Sequence, residues 1–151
     1  MRHPYYEAVL LVERAHRHFL EVVKSDLDHQ GIQDINNVQA LILYNVGQDE
    51  MTVGELTVRG YYLGSNVSYN VKKMVENGYL LQERSPHDRR SVRVKLSEKG
   101  LALHKKMGEA FEKQAGTLSG ASITSDELTK VIDVLRKLER FWTGMINYGG
   151  G

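Results

Sequence analysis

The stretch SPHDRRSVRVKL, residues 85 to 96, concentrates more positive charge than a turn needs. Pro86 and Asp88 are ordinary turn residues. Asp88, Arg89 and Arg90 stand in a row, however, and Arg93 and Lys95 add cations at alternate positions beyond them. Cations at this density suit a polyanion whose phosphates they neutralise. An arginine carried on a hairpin tip also suits a narrow minor groove, where negative potential is concentrated. Asp88 would be repelled by phosphate. The role expected of it is internal, pairing with a neighbouring arginine to shape the tip and leave the other arginine available.

A second group capable of recognition lies just upstream, in SNVSYNVKKMVENG, residues 65 to 78. Val67, Val71, Met74 and Val75 fall on one face of a helix and are expected to be buried. Asn66, Tyr69, Asn70 and Lys73 follow i, i+3, i+4, i+7 on the opposite face. Asn can pair bidentately with adenine, Tyr and the serines (Ser65, Ser68) can bond bases or phosphate, and Lys72 and Lys73 can neutralise phosphates. No acid precedes Glu76 on this segment. The charge distribution agrees. Residues 59–95 hold eight cations against three acids, a balance of +5, while the remainder holds 12 cations and 16 acids, or −4. The whole-chain charge of +1 hides this electropositive centre, which is the footprint of a nucleic-acid surface.

The elements that must position these groups are legible from periodicity and caps. Pro4 suits the first turn of a helix, and Val9, Val12, His16, Phe19, Val23 and Leu27 continue an amphipathic stripe to an end near Gly31. A helix is expected from Asp34 to Val46, with Val38, Leu41, Ile42 and Val46 inward and Gly47 closing it. Thr52-Val-Gly-Glu55 has the form of a capping box, opening a short helix that Gly60 stops. Ser65 opens the next helix, and Gly78 closes it with a left-handed turn. That is a helix-turn-helix. Tyr79–Arg84 and Val92–Leu96 read as strands, with Val92, Val94 and Leu96 on one side and Arg93 and Lys95 on the other. Leu101–Leu118 reads as a helix with Ser97 as N-cap. Ser125 and Asp126 are expected to cap a last helix carrying Leu128, Val131, Leu135, Leu138, Trp142 and Met145. The fold class expected is therefore mainly α with a small β-hairpin wing. It is a winged helix-turn-helix at about residues 33–98, flanked by terminal helices at about 4–30 and 99–147, in a single domain. The long terminal stripes suit pairing with a second copy of the chain, because symmetric DNA sites favour symmetric proteins.

Composition sets further bounds. The chain has 151 residues, enough for a sizeable core, and its 41% hydrophobic and 26% charged content is that of a globular domain. It contains no cysteine, so disulfides, thiolate metal sites and thiol-based sensing are excluded. The AVLLV run at residues 8–12 is too short to span a membrane and lacks a signal-peptide pattern, so a cytoplasmic protein with no membrane partner is expected. There is no nucleotide-binding glycine loop, nucleophile elbow or HExxH motif, which argues against an enzyme.

The run from Asp88 to Gly100, DRRSVRVKLSEKG, matches Asp-x-Arg, five residues, Leu-Thr-x-x-Gly, with Ser97 in place of Thr. It resembles the signature of the MarR family of multiple-antibiotic-resistance regulators, and the likeness in architecture covers nearly the whole chain. The resemblance implies that Asp88 and Arg90 are a structural pair of the wing, Arg89 its minor-groove finger, and residues 65–73 the start of a recognition helix. It further implies a homodimeric regulator of transcription on a pseudo-palindromic double-stranded DNA operator, with repression as the expected output. The family also implies a small-molecule effector held between the dimerisation helices and the winged helix. His16, Phe19, Tyr44, Tyr61 and Tyr62 are the candidates to line that cleft, and aromatic walls of this kind suit an amphipathic or phenolic molecule. No cofactor and no metal site is expected. Glu13 and His16 are one helical turn apart, but His16 and His18 point to different faces and no second histidine cluster accompanies them. Two alternatives stand beside this reading: a winged helix that binds protein without sequence-specific DNA binding, and a metal-responsive regulator.

Overall fold

The computed structural model describes residues 2–60, 64–84 and 91–148. In chain order the elements are α1 (Pro4–His29), α2 (Asn37–Val46), β1 (Met51–Thr52), α3 (Val53–Gly60), α4 (Gly64–Glu76), β2 (Leu80–Arg84), β3 (Val92–Leu96), α5 (Glu98–Thr117), a 3-10 turn (Leu118–Ala121) and α6 (Ser125–Tyr148). The chain divides into two compact units, Met1–Glu109 and Ala110–Gly151.

In the first unit the three strands form an antiparallel sheet in the order β1-β3-β2. β2 and β3 are the expected hairpin, with Leu80 opposite Leu96 and Gln82 opposite Val94. Its inward side carries Leu80, Val94 and Leu96, all buried, while Arg93 and Lys95 alternate outward. β1 was not foreseen. It is two residues long, and pairing of Met51 with Val94 and Thr52 with Arg93 defines it. Such a strand leaves no periodicity of its own to read.

Ile42, Leu43, Val46, Met51, Leu56, Val67, Met74 and Leu80 pack around this sheet with 1% or less of their surface exposed, and form the core. Burying a side chain of this size contributes roughly 1.5–3 kcal/mol. The capping box expected at Thr52 is present: the Glu55 amide donates to Thr52 Oγ1 at 3.0 Å, and the Thr52 amide to Glu55 Oε2 at 3.3 Å. Gly31 and Gly78, at φ 71° and 84°, supply the left-handed turns that end α1 and α4.

Helix α2 corrects the expected boundary and phase. It starts at Asn37 rather than Asp34, because Asn36 caps it reciprocally with Gln39. Its inward face is Gln39, Ile42, Leu43 and Val46, so Val38 is exposed and Leu41 half-buried. A polar residue occupies one position of the buried stripe, which obscured the register. In the second unit, α6 is capped one residue earlier than expected. Thr124 Oγ1 accepts from the Glu127 amide at 3.1 Å, and the Thr124 amide donates to Glu127 Oε1 at 3.0 Å.

Helix α5 begins where Ser97 caps it, its Oγ accepting from the Gly100 amide at 3.1 Å. Gly100 is buried against the end of the preceding turn. A Cβ there would stand 2.3 Å from the Tyr79 carbonyl oxygen and 3.2 Å from Leu96 Cβ. Only a hydrogen fits. Gly100→Ala is therefore expected to cost roughly 1–3 kcal/mol, read as a lower denaturant midpoint with an unchanged slope. A midpoint equal to that of wild type would show that the junction yields freely.

Candidate nucleic-acid interface

Helix α4 is the element on which the candidate recognition residues stand. Val67, Val71 and Met74 are buried to 3% exposure or less and hold one face against the core, with Val75 half-buried beside them. Asn66, Ser68, Tyr69 and Lys72 are exposed, while Asn70 and Lys73 are half-buried. The two-faced reading of this helix holds. Tyr69 is 61% exposed, and Lys73 Nζ lies 5.9 Å from its ring centroid and 3.7 Å from Glu76.

Asn70 is not free as expected. The buried Gln39 Nε2 donates to Asn70 Oδ1 at 3.1 Å, so one end of the Asn70 amide is occupied from within the protein. The bidentate contact with adenine needs both ends. Nothing in a sequence marks two residues 31 positions apart as partners.

Between α4 and the wing strands lies a groove of about 500 Å³, bordered by Ser68 and Lys72 on one side, Gln82 and Ser91 on the other, and Thr52 to Gly54 at its end. Gln82 and Ser91 were absent from the expected site; they become part of it only through the fold of the hairpin. Of the expected DNA contacts, the side chain of Ser65 and the tip residues Asp88, Arg89 and Arg90 lie outside the described residues.

Several cations of the basic centre meet acids of their own chain. Arg93 pairs with Glu50 at 3.3 Å and Arg59 with Asp49 at 3.1 Å. Both acids precede the window of positive charge in sequence, which is why counting charges along the chain missed the pairing. Lys72, Arg84 and Lys95 have no carboxylate partner among the described residues. Among the described residues they carry the open positive charge of this surface.

The end of α4 is tied to its surroundings by a polar cluster. The Tyr79 hydroxyl donates to Asp34 Oδ1 at 2.5 Å, and Lys99 Nζ donates to Asp34 Oδ2 at 2.6 Å and to the Asn77 carbonyl at 2.9 Å. Asn77 Nδ2 returns a bond to the Asp34 carbonyl at 2.9 Å, and Lys99 Nζ stands 4.3 Å from the Tyr79 ring centroid. The Lys99 bond, then that from Tyr79, hold the Asp34 carboxyl below the usual carboxylate range. Burial, then the adjoining Asp34, push the Tyr79 hydroxyl above its ordinary value.

Of the residues proposed to line an effector cleft, His16 and Phe19 are exposed on α1, and Tyr61 and Tyr62 lie outside the described residues. Tyr44 is half-buried on α2, its ring stacked on that of His104 from α5 with centroids 4.6 Å apart and planes 18° apart. His104 was not anticipated. Among the described residues no group of three or more His, Cys, Asp or Glu is disposed to hold a metal ion, and no helix is long and apolar enough to cross a membrane.

Residues 35–100 match the Winged helix DNA-binding domain family. The chain is 35% identical over 145 residues to the exopolysaccharide II synthesis transcriptional activator ExpG of Rhizobium meliloti strain 1021, covering 96% of this chain and 75% of that protein. The fold matches AbsC, a MarR family transcriptional regulator from Streptomyces coelicolor, with a TM-score of 0.76 at 18% identity over 95% of this chain and 97% of that one. The chain belongs to one family with the transcriptional regulator ExpG, and its fold is that of the MarR-family protein AbsC. It also superimposes on the MepR–DNA complex of S. aureus with a TM-score of 0.74 at 18% identity, over 94% of this chain and 99% of that one. The chain is thus a transcriptional regulator with a winged-helix DNA-binding domain, not an enzyme.

The polar cluster gives the regulator a defined pH response. Asp34, with its lowered carboxyl, adds stability that is present above the ordinary aspartate value near pH 4 and lost as pH falls through its folded value. Tyr79, with its raised hydroxyl, adds stability present below about pH 10 and lost at more alkaline pH. Asp34 and Lys99 side chains are nearly half exposed, so solvent screens the pair and the effect is modest. Asp34→Asn is expected to lower Tm by roughly 2–4 °C at neutral pH, and the gap from wild type should narrow on acidification below about pH 4. A gap independent of pH would remove the carboxylate from this account.

Proposed function

We propose that this regulator acts as a homodimer on a pseudo-palindromic operator, each protomer laying α4 in a major groove and the wing in the adjoining minor groove. The observation that carries this reading is the groove between α4 and the wing strands, edged by Lys72, Ser68, Gln82 and Ser91. When a helix occupies the major groove and a hairpin tip the neighbouring minor groove, one sugar-phosphate strand must pass between them. A concave, polar, lysine-bearing channel suits that strand. MepR, whose fold this chain shares, is described in complex with DNA. The acceptor and donor groups on α4 also disfavour the protein-binding alternative, which calls for apolar residues at Asn66, Asn70 and Lys73.

The dimer is supported by apolar side chains left exposed along both terminal helices. Leu10 and Tyr6 on α1 are 62% and 57% exposed, and Val131, Leu135 and Met145 on α6 are 50%, 41% and 51% exposed. Residues of this type in helical register favour a partner surface. Two protomers would set their recognition helices about 34 Å apart, one turn of DNA.

A small amphipathic or phenolic effector would act by preferring one dimer shape over the other, since only differential affinity shifts an equilibrium. The Tyr44–His104 stack, which joins α2 to α5, supports an aromatic site at that junction. Repression by occluding a promoter is the simplest output of such a dimer. Activation is a second reading, favoured by the name of the relative ExpG as an activator.

The test is selection from a random DNA pool at about 150 mM salt. An inverted repeat with half-sites one turn apart is expected; retention without enrichment would reduce the protein to a nonspecific binder. On the selected operator, Lys72→Ala should weaken binding at every sequence and lower the salt slope by about 1. Tyr69→Ala should instead change base preference, and Arg89→Ala should weaken specific binding with fold and dimer intact. Identical behaviour of all three would dissolve the division between base and phosphate contacts. Leu135→Asp is expected to give a monomer in sedimentation and to lower operator affinity on the order of a hundredfold through lost avidity. A variant that stays dimeric would exclude α6 from the interface.

A further inference from the structure

The contact that removes one end of the Asn70 amide from DNA also dictates what the other end offers. An amide's oxygen and nitrogen are told apart by their partners, and here the chain of partners starts from a group that cannot be reversed. The backbone N–H of Asn36 can only donate, and its acceptor is Gln39 Oε1 at 3.1 Å. The same capping box is closed by the Gln39 amide, which donates to Asn36 Oδ1 at 2.8 Å. With its oxygen committed to the cap, Gln39 must present Nε2 to α4, where it donates to Asn70 Oδ1. Gln39 is only 7% exposed, so water does not compete effectively for this bond. Asn70 is therefore held with its oxygen inward, and its Nδ2 has no hydrogen-bond partner among the described residues.

We propose that Gln39 is a positioning residue for base recognition: through the capping box of α2 it locks Asn70 as a hydrogen-bond donor, so that α4 selects a keto base, guanine or thymine, at the position Asn70 meets. In the major groove guanine offers the acceptors O6 and N7 and thymine offers O4, whereas cytosine offers only its N4 amino donor and adenine sets an N6 amino donor beside its one acceptor, N7. A pinned NH2 group matches the first pair, opposes cytosine, and meets adenine at N7 alone with the amino group crowding it. Because the amide is already held by a buried partner, little rotamer freedom is lost on binding and the preference is not averaged away. The inference rests on the proposed docking of α4 in the major groove.

The decisive variant is Gln39→Glu. Glu at the third position of a helix is the usual member of a capping box, and its carboxylate is favoured by the helix N-terminus. It can still accept from the Asn36 amide, but it shows Asn70 an acceptor. The Asn70 amide must then turn over, with Nδ2 inward and Oδ1 toward DNA. Random-pool selection with wild type and Gln39→Glu should yield the same inverted repeat with one symmetric pair of positions changed from guanine or thymine to adenine or cytosine. The expected change in preference there is on the order of tenfold. Asn70→Asp, which leaves the capping box untouched, also turns an acceptor outward and should move the same position in the same direction. It decides the matter if Gln39→Glu does not fold by circular dichroism. A wild-type motif that neither variant alters overturns the inference and leaves the docking of α4 standing. A shift with Gln39→Glu but none with Asn70→Asp overturns it too, since Gln39 would then act by another route. If wild type enriches no motif, the docking itself fails, and this inference fails with it.

Discussion

The geometry of the proposed DNA-facing surface depends on Tyr79, where α4, the wing strands and α5 meet. Its backbone amide donates to the Met74 carbonyl at 2.9 Å and closes α4, while its own carbonyl accepts from the Ser97 amide at 3.0 Å at the start of α5. Its hydroxyl reaches Asp34 in the connection between α1 and α2. Gly100 presses against the same carbonyl oxygen that Ser97 bonds. One residue thereby uses its donor, its acceptor, its ring and its hydroxyl on three parts of the first unit: α4, the start of α5 and the α1–α2 connection. Rotating α4 relative to the hairpin would break several of these at once. That matters to the proposed docking, because the duplex dictates the spacing between major and minor groove, and a helix and wing that are to meet both need a fixed angle between them.

The electrostatics follow from the same fold. A count along the chain gives an excess of +5 over residues 59–95, yet Arg59 and Arg93 are engaged by Asp49 and Glu50. Exposed pairs of this kind contribute about 0–1 kcal/mol each, so their value to stability is slight. Their effect on the proposed recognition is larger, because they direct two cations to the protein and, among the described residues of the basic centre, leave Lys72, Arg84 and Lys95 without a carboxylate partner. Arg93, which by alternation alone looked like part of a DNA-facing row, instead braces β3 against the segment before β1.

What the sequence made legible is what local chemistry determines. The Thr52 and Ser97 caps, the left-handed turn at Gly78 and the period-two pattern of Val92, Val94 and Leu96 each act within a few residues. Together they sufficed for the winged helix. The same logic explains half of the signature that carried the family resemblance. Leu96 is buried, Ser97 caps α5, and Gly100 is the residue that lets α5 approach Tyr79. Those positions are architectural, and the other half of the motif, Asp88 to Arg90, lies outside the described residues. The features that were not legible all join distant residues: β1 exists only by pairing with β3, Glu50 finds Arg93 across 43 positions, and His104 stacks on Tyr44 from another helix. Gln39 was hidden twice. It is a polar residue in a buried stripe, and its partner Asn70 sits on the face assigned entirely to DNA.

Helix α2 emerges as more than a filler of the core. Near one end its Gln39 is bonded to Asn70 on α4; further along, Tyr44 is stacked on His104 of α5. Ala40 and Leu43, fully buried, fix the helix between these two contacts. A packed helix of ten residues does not bend to absorb a displacement at one end; it moves as a body. On the proposed reading, a shift of α5 against α2 at the Tyr44–His104 stack would reach the Asn36–Gln39–Asn70 chain, where a few tenths of an ångström decide whether a hydrogen bond is held or lost. Regulation and base selection would then share one mechanical element, and its two side chains give each a separate point of attack: one aromatic, one amide.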